Sequence, residues 1–129
     1  MSTVPVEFGR ITRKRGDTVR LNVNDVLDAS GAAVALADYT LRAVIKYPSD
    51  TATDDSSAVS VITGGAGITV SSTNDAALVF PKSDMEDVTG PCILYWEMQA
   101  TKTASPTVDN DTLAYGEIEI VQDRAKVTA

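Results

Sequence analysis

Histidine is absent from this chain, and cysteine occurs once, at Cys92. The first absence removes the usual proton shuttle near neutral pH and the commonest metal ligand. It also removes every serine or cysteine nucleophile that relies on a histidine base. The aspartates stand mostly at turns, where that side chain is favoured for bonding the local backbone. No catalytic residue, cofactor or metal is therefore read from the sequence, and the protein is expected not to be an enzyme. A lone cysteine excludes an intrachain disulfide and a cysteine-based zinc site. Cys92 alternates with Leu94, Trp96 and Met98, which predicts a small apolar residue facing the core.

Long apolar runs are missing too. None approaches the ~20 residues that cross a bilayer, and Met1-Ser2-Thr3-Val4-Pro5 lacks the basic and apolar regions of a signal peptide. No membrane partner and no export by that route are expected. Basic residues are the minority: Lys and Arg number 11 against 18 Asp and Glu, for a net charge of −7. An acidic surface opposes the exchange of phosphate counterions for Lys and Arg, so no nucleic-acid partner is expected. The one basic cluster, Arg10, Arg13, Lys14 and Arg15, reads as a solvated strand face.

What the chain does contain is alternation. Its 129 residues suit one domain able to bury a core without staples. Strand signals recur with turns between them, and helical periodicity is nearly absent. Extended segments are expected at Val6 to Thr12, Val19 to Val23, Val34 to Leu36, Thr40 to Tyr47, Val59 to Ile62, Ile68 to Val70, Ala76 to Phe80, Cys92 to Thr101 and Leu113 to Val121. Ser83-Asp84-Met85-Glu86 has the serine-to-glutamate spacing of a capping box, which predicts one helical turn over 83–88. Ser49 to Ser57 and Lys102 to Thr112 read as polar loops.

Three short motifs invite function and are answered by turn chemistry. Arg15-Gly16-Asp17 spells an adhesion tripeptide, yet it sits where glycine and aspartate make a turn. Thr63-Gly64-Gly65-Ala66-Gly67 lacks the Gly-Lys-Ser/Thr ending of a phosphate loop and reads as a hairpin turn. Asp109-Asn110-Asp111, and Asp50 with Asp54 and Asp55, lack the spacing of an EF-hand and read as solvated loops.

On the longest strand Leu94, Trp96, Met98 and Ala100 share the bulky face expected to be core. Tyr95 falls on the other side, at a rim or contact surface. Sandwich domains bind sugars by stacking exposed rings on them, and Tyr39, Tyr47, Tyr95, Trp96 and Tyr115 are the rings available here. A carbohydrate-binding surface module is thus one reading of the chain.

The order of these segments resembles a known class. Arg15-Gly16-Asp17-Thr18 leads into Val19-Arg20-Leu21-Asn22-Val23. Gly67-Ile68-Thr69-Val70 then precedes Ala77-Leu78-Val79-Phe80, and Leu94-Tyr95-Trp96-Glu97-Met98-Gln99 precedes Tyr115-Gly116-Glu117-Ile118-Glu119-Ile120. Together they look like the immunoglobulin-like domains of tailed-bacteriophage virion structural proteins. They are similar to the N-terminal domain of baseplate upper proteins and to small tail or capsid-decorating proteins. Pro91-Cys92 departs from that pattern, where an aromatic is common. The resemblance implies an all-β fold, a single antiparallel immunoglobulin-like β-sandwich of about seven or eight strands. It spans 6–121, with an N-terminal arm over 1–5 and a tail over 122–129.

It further implies a structural protein of the virion, assembled in the host cytoplasm. No fibre shaft follows the domain in the sequence, which favours a capsid decoration or cement protein over a tail, adaptor or baseplate component. The implied partners are the major capsid protein or tail and baseplate proteins, with self-association in the assembly. Val4 and Pro5 of the arm and Val6 at the start of the domain, together with Tyr95, are the expected contact residues.

Overall fold

Two-residue periodicity shapes nearly every element, because alternate side chains of a strand point to opposite faces. The computed structural model describes residues 3–50, 55–88, 91–104 and 107–121. Its strands are β1 (Thr3–Val4), β2 (Val6–Glu7), β3 (Ile11–Lys14), β4 (Val19–Val23), β5 (Leu27–Asp28), β6 (Thr40–Lys46), β7 (Ser60–Gly64), β8 (Gly67–Ser72), β9 (Asp75–Phe80), β10 (Cys92–Ala104) and β11 (Thr107–Val121). The fold is all-β, as the alternation implies.

Hydrogen bonding runs in the order β2-β11-β10-β6-β7-β8-β9-β4, with β3 following β2 along β11 and a separate β1–β5 ladder. This is a nearly closed barrel, and its strands are mixed. A purely antiparallel arrangement, expected from sequence, is corrected at β2 and β3, which both run parallel to β11, and at the short β7–β8 pairing, which is parallel too. Parallel neighbours need a long connection between them. For β2 and β3 with β11 that connection is the rest of the domain. The ends of the path, β4 and β2/β3, are not paired with each other among the described residues.

One continuous core fills the interior. Val19, Leu21 and Val23 of β4 face Leu78 and Phe80 of β9, Ala43 and Ile45 of β6, and Leu94, Trp96 and Met98 of β10, all buried. Full burial of such a side chain is worth about 1.5–3 kcal/mol. Phe8 closes one side with its ring edge-on to Trp96, centroids 5.1 Å apart. Gly116 makes room for them: a Cβ there would lie 2.8 Å from Trp96 Nε1 and 3.0 Å from Phe8 Cβ.

The path bends sharply at residues 64–67. Gly65 has φ +81° and Gly67 φ +108°, conformations that side chains rarely adopt. A Cβ on Gly67 would sit 2.6 Å from Ile62 Cγ2 and 3.0 Å from Val79 O. A tight turn is thus present, with Ala66 N–H donating to Thr63 O at 2.9 Å, but the strands it joins pair parallel and do not form the expected hairpin. Its glycines serve positive φ and close approach. Arg15-Gly16-Asp17 is likewise a turn, with Gly16 at φ +84° and Asp17 N–H donating to Lys14 O at 3.1 Å.

Several expectations are corrected. The helical turn is Lys82–Met85, with Pro81 at its N-cap and no side-chain capping bond. Proline pre-sets the backbone dihedral, so the turn starts ahead of Ser83, and Asp84 accepts a bond from the buried Ser60 hydroxyl at 2.7 Å. The chain at 34–36 is not a strand; a 3-10 turn, Leu36–Asp38, begins there and buries Leu36. Most of the loop expected over 102–112 is ladder, because β10 and β11 stay paired out to Ala104 and Thr107. Asp109, Asn110 and Asp111 are therefore strand residues opposite Lys102, Thr101 and Ala100.

Thr3 and Val4 pair with Asp28 and Leu27, Pro5 is exposed, and Val6 is half-buried against the core. Unpaired backbone groups at a sheet margin are satisfied by the nearest strand, and here that strand is the domain's own. Met1, Ser2 and the tail 122–129 lie outside the described residues.

Two predictions follow from this geometry. Gly67→Ala adds a left-handed backbone penalty of about 1–2 kcal/mol to overpacking of about 1–3 kcal/mol. Gly65→Ala, with nothing within 4 Å of its Cβ position, incurs only the first. Urea unfolding of both variants should therefore rank Gly67→Ala clearly below Gly65→Ala.

The second concerns acid. Asp28 accepts from Ser30 Oγ at 2.6 Å and from the Ser30 and Ala32 amides, and the Ser30 bond leads in holding its pKa below the ordinary value. Asp75 accepts from Ser72 Oγ and the Asp25 amide, with its pKa lowered chiefly by Ser72. Groups with lowered folded pKa stabilise above the ordinary aspartate range and lose that contribution as pH falls through it. Unfolding midpoints should fall on acidification through that range, and Asp28→Asn with Asp75→Asn should flatten the acid limb.

Candidate functional site

The outer face of β6, β10 and β11 carries the side chains that the core leaves outside. Inward Leu94, Trp96 and Met98 put Tyr95 and Glu97 on this face. Register then fixes their neighbours. Glu97 lies opposite Tyr115 on one side and Val44 on the other, and Val44 lies opposite Val61. Glu7 of β2 pairs with Tyr115. A single row, Glu7, Tyr115, Glu97, Val44 and Val61, thus crosses five strands. The next row holds Glu117, Tyr95 and Lys46.

Tyr95 is 47% exposed and Tyr115 41%. They are diagonal neighbours across the β10–β11 pair, a placement about 7–8 Å apart in such sheets. Between them and β6 lies an open groove of about 520 Å³, lined by Val44, Lys46, Tyr47, Tyr95, Glu97 and Tyr115 among others.

A bulge completes the groove. Met98 pairs with Ala114 but Gln99 pairs with Thr112, so Leu113 is the extra residue. Strict alternation would put Leu113 outside with Tyr115. The bulge lets it turn inward, where it is fully buried, and brings Thr112 beside Gln99. Thr112 Oγ1 then donates to Glu97 Oε1 at 2.7 Å, and Gln99 Nε2 donates to the same oxygen at 2.9 Å. Bulges commonly re-aim side chains in this way.

Charges around the groove are largely matched. Asp55 pairs with Arg42 and, at 3.2 Å, with Lys46. Arg10 holds Glu117 at 3.1 Å. Asp55 therefore serves in ion pairs, while Asp54 lies outside the described residues. No group of three or more metal-ligating side chains occurs among the described residues.

Of the residues singled out from sequence, Tyr95 stands in this face. Val6 lies across β11 from it, paired with Ala114, and Val4 is engaged with β5. Among the other rings Trp96 is buried, Tyr39 and Tyr47 are half-buried, and Tyr115 is exposed. Cys92 is half-buried, less enclosed than expected, and burial raises its pKa. Thr112, Glu97 and Val44 were missed. Alternation alone would have found Glu97 and Val44; the bulge that delivers Thr112 has no sequence signal. No protein-family model matches the chain, and no curated protein matches it.

Tyr95→Ala and Tyr115→Ala should each leave stability within about 0.5 kcal/mol, as exposed substitutions do. Trp96→Ala, on the same strand but facing inward, should cost about 3–5 kcal/mol. Chemical denaturation of the three variants separates surface from core.

Proposed function

We propose that this protein is a non-enzymatic structural protein of a tailed-bacteriophage virion, an immunoglobulin-like sandwich that decorates or cements the capsid. Two runs of strands, β2/β3-β11-β10-β6-β7 and β8-β9-β4, are the two sheets of the sandwich in this reading. Among the described residues their ladders join at the tight corner of residues 64–67, where the β7–β8 pairing is two residue pairs long.

The observation that carries the reading is the crossing of the N-terminal segment from one run to the other. β2 and β3 lie parallel to the last strand, and after the Arg15-Gly16-Asp17 turn the chain enters β4, which pairs with β9 in the other run. That arrangement agrees with the resemblance found in the order of sequence segments. A fold by itself does not fix a function, so the virion assignment draws on that resemblance. The net charge of −7 suits the outside of a particle better than its DNA-lined interior.

Quantitative mass spectrometry of purified particles tests this. Copies in proportion to the major capsid protein are expected. Copies in proportion to a tail or baseplate ring would move the protein to the tail, and absence from particles would overturn the proposal.

A further inference from the structure

The groove on the outer face has features that a flat docking surface does not need. Two tyrosine rings stand exposed at diagonal positions on β10 and β11, at 47% and 41%. A half-buried carboxylate, Glu97, lies in the row between Tyr115 and Val44, and it is held from one side only. Thr112 and Gln99 both donate to Oε1. Oε2 receives no hydrogen bond from the described residues and is the acceptor left for a ligand.

Charge decides what kind of ligand fits. The cations nearest the groove, Arg42 and Lys46, are engaged by Asp55, and Arg10 is engaged by Glu117. An anion would meet Glu97 with its natural counter-charges already used. A neutral molecule rich in hydroxyls meets a different surface. Its hydroxyls donate to Glu97, and the apolar face of its ring lies on tyrosine, whose ring gains by such contact. The volume of about 520 Å³ falls in the range of small-molecule sites.

We infer that this groove binds a neutral saccharide, with Tyr95 and Tyr115 as the stacking platform and Glu97, positioned by Thr112 and Gln99, as the hydroxyl acceptor. The site goes beyond the structural role proposed above and does not depend on it. The bulge at Leu113 is the device that builds the site, since only the bulge brings Thr112 within reach of Glu97.

The test is a titration of the full chain, followed by amide chemical shifts, with cellohexaose, chitohexaose and maltohexaose as neutral probes and an oligogalacturonate as the anionic comparison. At least one neutral probe should shift amides of 95–97, 112 and 115 at up to about 10 mM, the range of weak single-site binding. Tyr95→Ala and Tyr115→Ala should each weaken it about tenfold, the value of one lost ring contact. Glu97→Gln should weaken it as well while leaving the unfolding midpoint in place. Silence of all three neutral probes, binding that survives the double tyrosine variant, or preference for the oligogalacturonate would each overturn the inference. Tyrosine variants that lose sugar but enter particles normally would support the site and leave the virion reading intact. A protein that binds sugar and is absent from particles would overturn only the latter.

Discussion

The architecture depends on one close approach, that of Gly67 to Ile62. The chain must turn from β7 into β8 with almost no room between them, and a Cβ at position 67 would lie 2.6 Å from the Ile62 side chain. Everything on the β8-β9-β4 side reaches the rest of the hydrogen-bonded path through this corner. Ile62 is itself a core residue paired with Ala43, so the corner cannot relax outward without opening the core. Protein interiors are packed too densely to absorb such a shift cheaply.

From that corner the two runs of strands close on shared apolar side chains, and a second tight fit secures the far side. Phe8, Trp96 and Gly116 interlock where the first strands join β11. The Trp96 indole N–H finds no hydrogen-bond partner there, and an unmade bond on a buried donor costs about 1–3 kcal/mol. The fold tolerates it because the same ring supplies the largest fully buried side chain of the core. Phe8 N–H continues the ladder by donating to Tyr115 O at 2.9 Å, which ties this plug to the strand that presents the outer tyrosine.

The outer face inherits its order from the core. Because alternate residues face opposite ways, each inward anchor on β10 fixes an outward neighbour, Leu94 and Trp96 for Tyr95, Trp96 and Met98 for Glu97. A rigid sheet positions such side chains more sharply than a loop does. The proposed glycan groove is therefore a consequence of how the interior packs. The loop at 55–58 adds the ion pairs of Asp55 with Arg42 and Lys46, which settle the charge of the neighbouring face.

The sequence by itself determined the local and periodic facts: an all-β chain, the turns at Gly16 and at 63–67, the inward series of β4, β9 and β10, and the exposure of Tyr95. These depend on alternation and on glycine's freedom at positive φ, both carried by neighbouring residues. Tertiary structure alone decided the rest. The parallel pairing of β2 and β3 with β11 joins segments about a whole domain apart, and no local pattern encodes it. Thr3, Val4 and Val6 find their partners, Asp28, Leu27 and Ala114, far away in sequence. The polar stretch 107–112 reads as a loop by composition, yet ladder hydrogen bonds to β10 hold most of it extended. The bulge at Leu113 follows from the core's demand for that side chain, and it sets Thr112 against Glu97. Such a choice is made by packing between strands, which a single strand's sequence does not contain.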